Sequence, residues 1–158
     1  MAKEVFNRFE HKYLLNQKTY EEVLCQMDRH MELDAYNAGH KPYTIANIYY
    51  DTADDYLIRT SLSSPTYREK LRLRAYGVPK MDSTLFPKLY LAYDRIAYFE
   101  KGNPDLRISF DQNIRSRRME VSLEKGDYGT PLMDEPLYLM EVKTSLSFLY
   151  LVVISPFL

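Results

Sequence analysis

Polar and apolar positions alternate with a period of two over much of this chain, the pattern of half-buried strands rather than helices. Residues 4–15 put Arg8, Glu10 and Lys12 on one face, and Phe9, Tyr13 and Leu15, with His11 among them, on the other. Residues 66–76, TYREKLRLRAY, put Arg68, Lys70, Arg72 and Arg74 on one face, opposite Tyr67, Leu71, Leu73 and Ala75. A helix would scatter these four cations around its circumference. A strand lines them up about 6.6 Å apart, twice the ~3.3 Å rise per residue. Like charges in a row repel, so an anion is expected to face them.

Four more segments show strand character. Residues 43–51 are β-branched and aromatic. Residues 89–99 put Tyr93 and Arg95 on one face and Asp94 on the other. Residues 106–111 follow a Gly-Asn-Pro-Asp turn signal and carry Arg107, Ser109 and Asp111 on a common face. Residues 137–143 put Leu139, Glu141 and Lys143 opposite Tyr138, Met140 and Val142. Two segments have helical spacing instead. Tyr20, Val23, Leu24, Met27 and Met31 predict an amphipathic helix over residues 16–31, capped by Asn16, and residues 54–62 predict a short one. Residues 33–42 and 77–88 are expected to be loop, and residues 126–131 a turn.

Six alternating strands and two helices, without long crossover helices between strands, predict an α+β fold built on an antiparallel sheet. If such a sheet curls, its charged faces converge in a cationic tunnel, with the first helix covering the core outside. The length of 158 residues suits one domain. A net charge of −1 argues against nucleic-acid binding through bulk positive charge, so an anion site must come from local clustering. The 15 tyrosines suit strands with one wet face. Cys25 is the only cysteine, which excludes an internal disulfide, and it has no obvious activating partner. The N-terminal residues have no apolar run, and the apolar stretch over residues 146–154 is too short to span a bilayer. A cytoplasmic protein is expected.

The charged faces pool Arg8, Lys12, Arg68, Lys70, Arg72, Arg74, Arg95, Arg107 and Lys143 with the carboxylates Glu10 and Glu141. Many cations around few carboxylates suit a polyanion with a divalent metal. Arginine forks clamp phosphate oxygens, and carboxylates hold magnesium or manganese that also takes phosphate oxygens. The chain contains no GxxxxGK[ST] loop, so phosphate binding would rest on side chains rather than a backbone cradle. No Ser-His-Asp or Cys-His arrangement stands out.

Glu10-His11-Lys12 resembles the E-x-K signature of the triphosphate tunnel metalloenzymes. More closely, FEHKYLLN, IYYDT, KLRLRAYG, YDRIAY, DLRISFDQNI and MEVK, in that order, resemble the VTC domain, the polyphosphate polymerase domain of the vacuolar transporter chaperone family. The resemblance implies a β-barrel tunnel that binds ATP or another triphosphate, and polyphosphate, with Mn2+ or Mg2+. It also implies transfer of the ATP γ-phosphate onto a polyphosphate chain. By the motif matches, Lys12, Arg72 and Arg74 would be catalytic, and Glu10, Lys70, Arg95, Arg107 and Lys143 would bind substrate. Glu141 would hold the metal. The family places a further strand with a Glu-x-Lys element, another strand and a helical segment between RLRxYG and YDR. Here residues 82–86 look like the start of that strand, and Pro87 joins straight to the YDR region. An incomplete tunnel over residues 1–145 with an atypical apolar tail over 146–158 is therefore expected. That departure keeps open an inactive polyphosphate-binding module or truncated fragment, and a metal-dependent triphosphate hydrolase, beside the polymerase.

Overall fold

The computed structural model describes residues 9–63, 70–76, 86–133 and 136–145. Arg8, Arg68, residues 77–85 and the tail over 146–158 lie outside them. The strands are β1 (Phe9–Leu15), β2 (Met31–Leu33), β3 (Tyr43–Asp51), β4 (Leu71–Tyr76), β5 (Phe86–Glu100), β6 (Asn103–Arg117), β7 (Thr130–Pro131) and β8 (Tyr138–Thr144). The helices are α1 (Gln17–Met27) and α2 (Tyr56–Leu62), with 3-10 turns at Ala35–His40 and Leu123–Lys125. The fold is α+β. Its hydrogen-bonded path runs β1-β8-β6-β5-β3-β4, with β2 on β5 and β7 on β6. Among the described residues β1 and β4 are the two ends of that path.

The chain divides into two compact units, and β5 and β6 pass through both. The first comprises residues 1–43, 95–112 and 135–158. In it, β1 pairs antiparallel with β8, and β8 with β6. Asn16 caps α1 by accepting from the Thr19 amide at 2.9 Å, as its position predicts. Tyr20, Val23 and Met27 of α1 then share one core with Tyr98, Ile108, Phe110, Met140 and Val142. The Tyr20 ring stacks on Tyr138 at 3.8 Å and meets Phe110 edge-on at 5.1 Å.

Burial, with Tyr98 and Tyr138 nearby, pushes the Tyr20 phenol up to about 12 from its ordinary 10.0. A raised phenol favours the neutral form in the folded state. Its contribution is complete below pH ~10 and is lost as pH rises through ~12. Urea unfolding at several pH values should show wild-type stability falling faster than that of Tyr20→Phe between pH 10 and 12. Parallel curves would contradict this placement of the ring.

The helix predicted to reach residue 31 stops at Met27, and Met31 starts β2 instead, pairing with Glu100. Met31 is buried in the same core, so its apolar spacing fitted either element. Lys101 and Gly102 connect β5 to β6, and Gly102 takes φ +79, which glycine adopts without steric cost.

The second unit comprises residues 44–94 and 113–134. In it β3 pairs antiparallel with β4, and Ala46, Ile48, Ala75, Tyr90, Ala92 and Leu123 form the core. Asn113 in β6 takes left-handed backbone, with φ +52. Arg115 and Arg117 are buried, as are Ser109 and Asp111 at the alternate positions before them. Neither arginine is left for an anion. Arg115 donates to Asp94 Oδ1 at 3.2 Å, to Asp127 Oδ2 at 2.9 Å and to the Asn113 and Asp127 carbonyls. Arg117 donates to the carbonyls of Glu120, Ser122 and Tyr128, with its guanidinium 3.6 Å from the Tyr90 ring centre. Arg118, next in the chain, is exposed, so the adjacent pair splits between core and surface as the sequence requires.

Candidate functional site

In the first unit, strand register assembles a ladder of charge. Across β1 and β8, Glu10 stands opposite Lys143 and Lys12 opposite Glu141. Across β8 and β6, Lys143 stands opposite Arg107 and Glu141 opposite Ser109. Lys12 Nζ lies 3.0 Å from Glu10 Oε1, and Lys143 Nζ lies 3.4 Å from Glu10 Oε2 and also bonds Glu141 Oε1. The other oxygen of Glu141 accepts from Arg95 at 3.3 Å. Arg95 in turn grips Asp111 with two parallel bonds of 2.6 and 2.7 Å.

Arg95, Asp111 and Glu141 are buried, whereas Glu10, Lys12 and Lys143 keep substantial solvent contact. Burial alone would push the Glu10 carboxyl up. The Lys12 hydrogen bond and the Lys143 charge outweigh it and hold the carboxyl below its usual value. Burial likewise opposes the Lys12 charge, and Glu10 outweighs it, so the ammonium is held more firmly than an isolated lysine. An anion entering here therefore has to draw Lys12 and Lys143 away from carboxylates.

Arg107 faces Lys143 in register but takes a different partner. Its Nη2 lies 3.4 Å from Asp34 Oδ2, and the guanidinium sits 5.1 Å from the Phe99 ring centre. Its Nε is buried with no hydrogen-bond partner among the described residues.

The second unit holds the cationic strand. Asn47 stands opposite Arg74, and Tyr49 opposite Arg72. Asn47 is fully buried; its Nδ2 donates to the Leu91 carbonyl at 3.2 Å and its Oδ1 accepts from Arg74 Nε at 3.0 Å. Arg74 also donates to the Tyr93 hydroxyl at 3.3 Å. These contacts fix the guanidinium of a half-buried arginine without neutralising it. Arg72 and Lys70 are exposed and have no ion pair among the described residues. Asn47→Leu would leave both a buried carbonyl and Arg74 Nε short of a partner. It is expected to cost roughly 1–3 kcal/mol of stability in urea unfolding. A loss below about 0.5 kcal/mol would mean that neither hydrogen bond matters.

Glu10, Lys12, Arg95, Glu141 and Lys143 thus gather in one unit, with Arg107 beside them, while Lys70, Arg72 and Arg74 belong to the other. Alternation placed all of these faces. It did not show that Asp111 would clamp Arg95, because the partner across β5 and β6 depends on register. Nor did it show Asp34, which lies in a segment expected to be loop, or Asn47, which the strand pattern did not single out. His11, on the strand face with Phe9, Tyr13 and Leu15, and Cys25 are both exposed. Among the described residues no three His, Cys, Asp or Glu side chains gather into a metal-binding group. Nor is any helix there long and apolar enough to cross a membrane.

A family model described as VTC domain matches the chain twice, over residues 7–86 and 80–149. The two matches meet in the region where the sequence joins the cationic strand straight to the YDR strand. No curated protein matches the chain.

Proposed function

This chain belongs to the VTC domain family, and on that basis we propose that it binds triphosphate and polyphosphate through cations on its strands. Membership implies polyphosphate-related chemistry. The observation that carries it is Arg107. A buried N–H donor without an acceptor is uncommon and costly in folded proteins, and a phosphate oxygen would satisfy it. Lys143 stands opposite Arg107, and its ammonium can exchange a carboxylate for a phosphate. Arg72 and Arg74 offer a second set of donors, Arg74 already oriented by Asn47 and Tyr93.

A divalent metal is part of the reading. Glu141 is the buried carboxylate that would hold it. With no cluster of three acidic or imidazole ligands beside it among the described residues, the remaining ligands would be substrate phosphate oxygens and water, as magnesium and manganese accept. Such an ion, when bound, would neutralise charge on a transferring phosphoryl group. The chain's own part is to bind and align phosphates: Lys12, Lys143 and Arg107 in one unit, Lys70, Arg72 and Arg74 in the other. The proposed activity is transfer of the ATP γ-phosphate onto polyphosphate.

A second reading is binding without turnover. One observation favours it: Arg95, a residue that the motif match assigns to phosphate, has its Nε and Nη2 donors bonded to Asp111 and Glu141. Incubating the chain with ATP and Mn2+ and measuring polymer and free phosphate separates the outcomes. Polymer supports the transferase. Free phosphate without polymer supports a triphosphate hydrolase. Polyphosphate bound with no turnover supports the binding module, and a folded chain that neither binds nor turns over overturns the proposal.

A further inference from the structure

The second unit contains a cavity of about 270 Å3 walled by α2 and strands β3, β4 and β5. Leu57 and Ile58 of α2 face it together with Leu71, Leu89 and Leu91 of the strands. Ile58 and Leu71 are 49% and 45% exposed, so the apolar wall is reached from solvent. Such a wall offers nothing to phosphate oxygens and suits a hydrocarbon or aryl body.

The charges on the lining add a sign. Its two carboxylates are already engaged. Asp51 accepts from the backbone amides of Leu57 and Ile58 at 2.9 and 3.0 Å, securing the start of α2, and Asp55 lies 3.2 Å from Lys88 Nζ. The amide bonds outweigh the effect of burial and hold the Asp51 carboxyl below its usual value, so it stays ionised and bound. Two cations on the lining, Lys70 and Arg118, have no carboxylate partner among the described residues. An apolar pocket with two uncommitted cations selects against cations and against ligands without an apolar body.

We propose that this cavity is a binding site for a small amphiphilic anion, an acyl or aryl chain ending in a carboxylate or phosphate. The apolar body packs on Leu57, Leu89 and Leu91, and Arg118 and Lys70 take the head group. The cavity shares Lys70 with the cations proposed to bind phosphate, but its apolar wall and Arg118 lie outside that set, and the proposal rests on the cavity's lining rather than on the proposed function.

Calorimetric titration of the full chain with decanoate, decyl phosphate and decyltrimethylammonium tests it. Saturable one-to-one binding of either anion and none of the cation is expected. Arg118→Glu should weaken anion binding roughly tenfold or more, the usual effect of losing a charged hydrogen bond, and Arg118→Lys should restore most of it. Leu91→Gln should weaken it as well, with circular dichroism confirming that each variant is folded. In a parallel titration, Arg118→Glu should leave tripolyphosphate affinity within about twofold, so failure of the ladder and failure of the cavity can be told apart. Equal binding of the decyl cation, no saturable binding of either anion, or anion binding indifferent to both Arg118→Glu and Leu91→Gln would overturn the proposal. If bilayer vesicles of anionic lipid bind but neither free amphiphile does, the surface rather than the cavity recognises lipid, and the proposal also fails.

Discussion

Arg95→Ala is expected to destabilise the chain by roughly 3–5 kcal/mol, the usual cost of stripping one partner from a buried ion pair. The Arg95 and Asp111 side chains are 7% and 5% exposed, and Glu141 is 9% exposed. Removing the guanidinium leaves Asp111 without its two short bonds and Glu141 without a cation on one oxygen. Neither carboxylate can regain water without opening the sheet. Arg95→Lys keeps the charge but loses the planar fork that matches Asp111, so an intermediate loss is expected. Urea unfolding measures both. A loss for Arg95→Ala below about 1 kcal/mol would show that the ladder is solvated and that its geometry carries little weight.

The second large effect concerns binding. Arg72→Ala combined with Arg74→Ala should lower tripolyphosphate affinity at least a hundredfold. Each lost bond to a charged oxygen is worth roughly 1.5–3 kcal/mol, and about 1.4 kcal/mol is a factor of ten. The two single variants should differ in a second respect. Arg72 is exposed and unpaired among the described residues, so its removal should leave stability within about 0.5 kcal/mol. Arg74→Ala also deprives Asn47 Oδ1 of its partner and should cost more. Calorimetry for affinity and urea unfolding for stability check the pair. Unchanged affinity in the double variant would remove this strand from the anion site.

Alternation was enough to place Glu10, Lys12, Glu141 and Lys143 on matching faces, because a period of two fixes the face once an element is known to be a strand. It could not pair them. The opposition of Lys12 to Glu141 is a property of register, and register follows from the whole sheet. Asp111 shows the same limit: it was on the Arg107 face in sequence, yet its tie to Arg95 comes from the neighbouring strand. Met31 fitted the helical repeat and lies in a strand, since a buried methionine at the end of a helix pattern serves either element. The six motifs in order carried the family, and the match over residues 7–149 bears that out. The pooled charges also overstated the cationic surplus, because Asp34 lies outside the motifs and Asp111, although within DLRISFDQNI, was not counted with the carboxylates.

Binding of a linear polyanion through the strand cations is the property on which the proposed function stands. Titrating the unaltered, folded chain with tripolyphosphate in a calorimeter, at low and at moderate salt, measures it. The expected result is saturable binding that weakens as salt rises, since charges with solvent contact are screened over about 10 Å at 0.1 M ionic strength. Absence of saturable binding at low salt would contradict it.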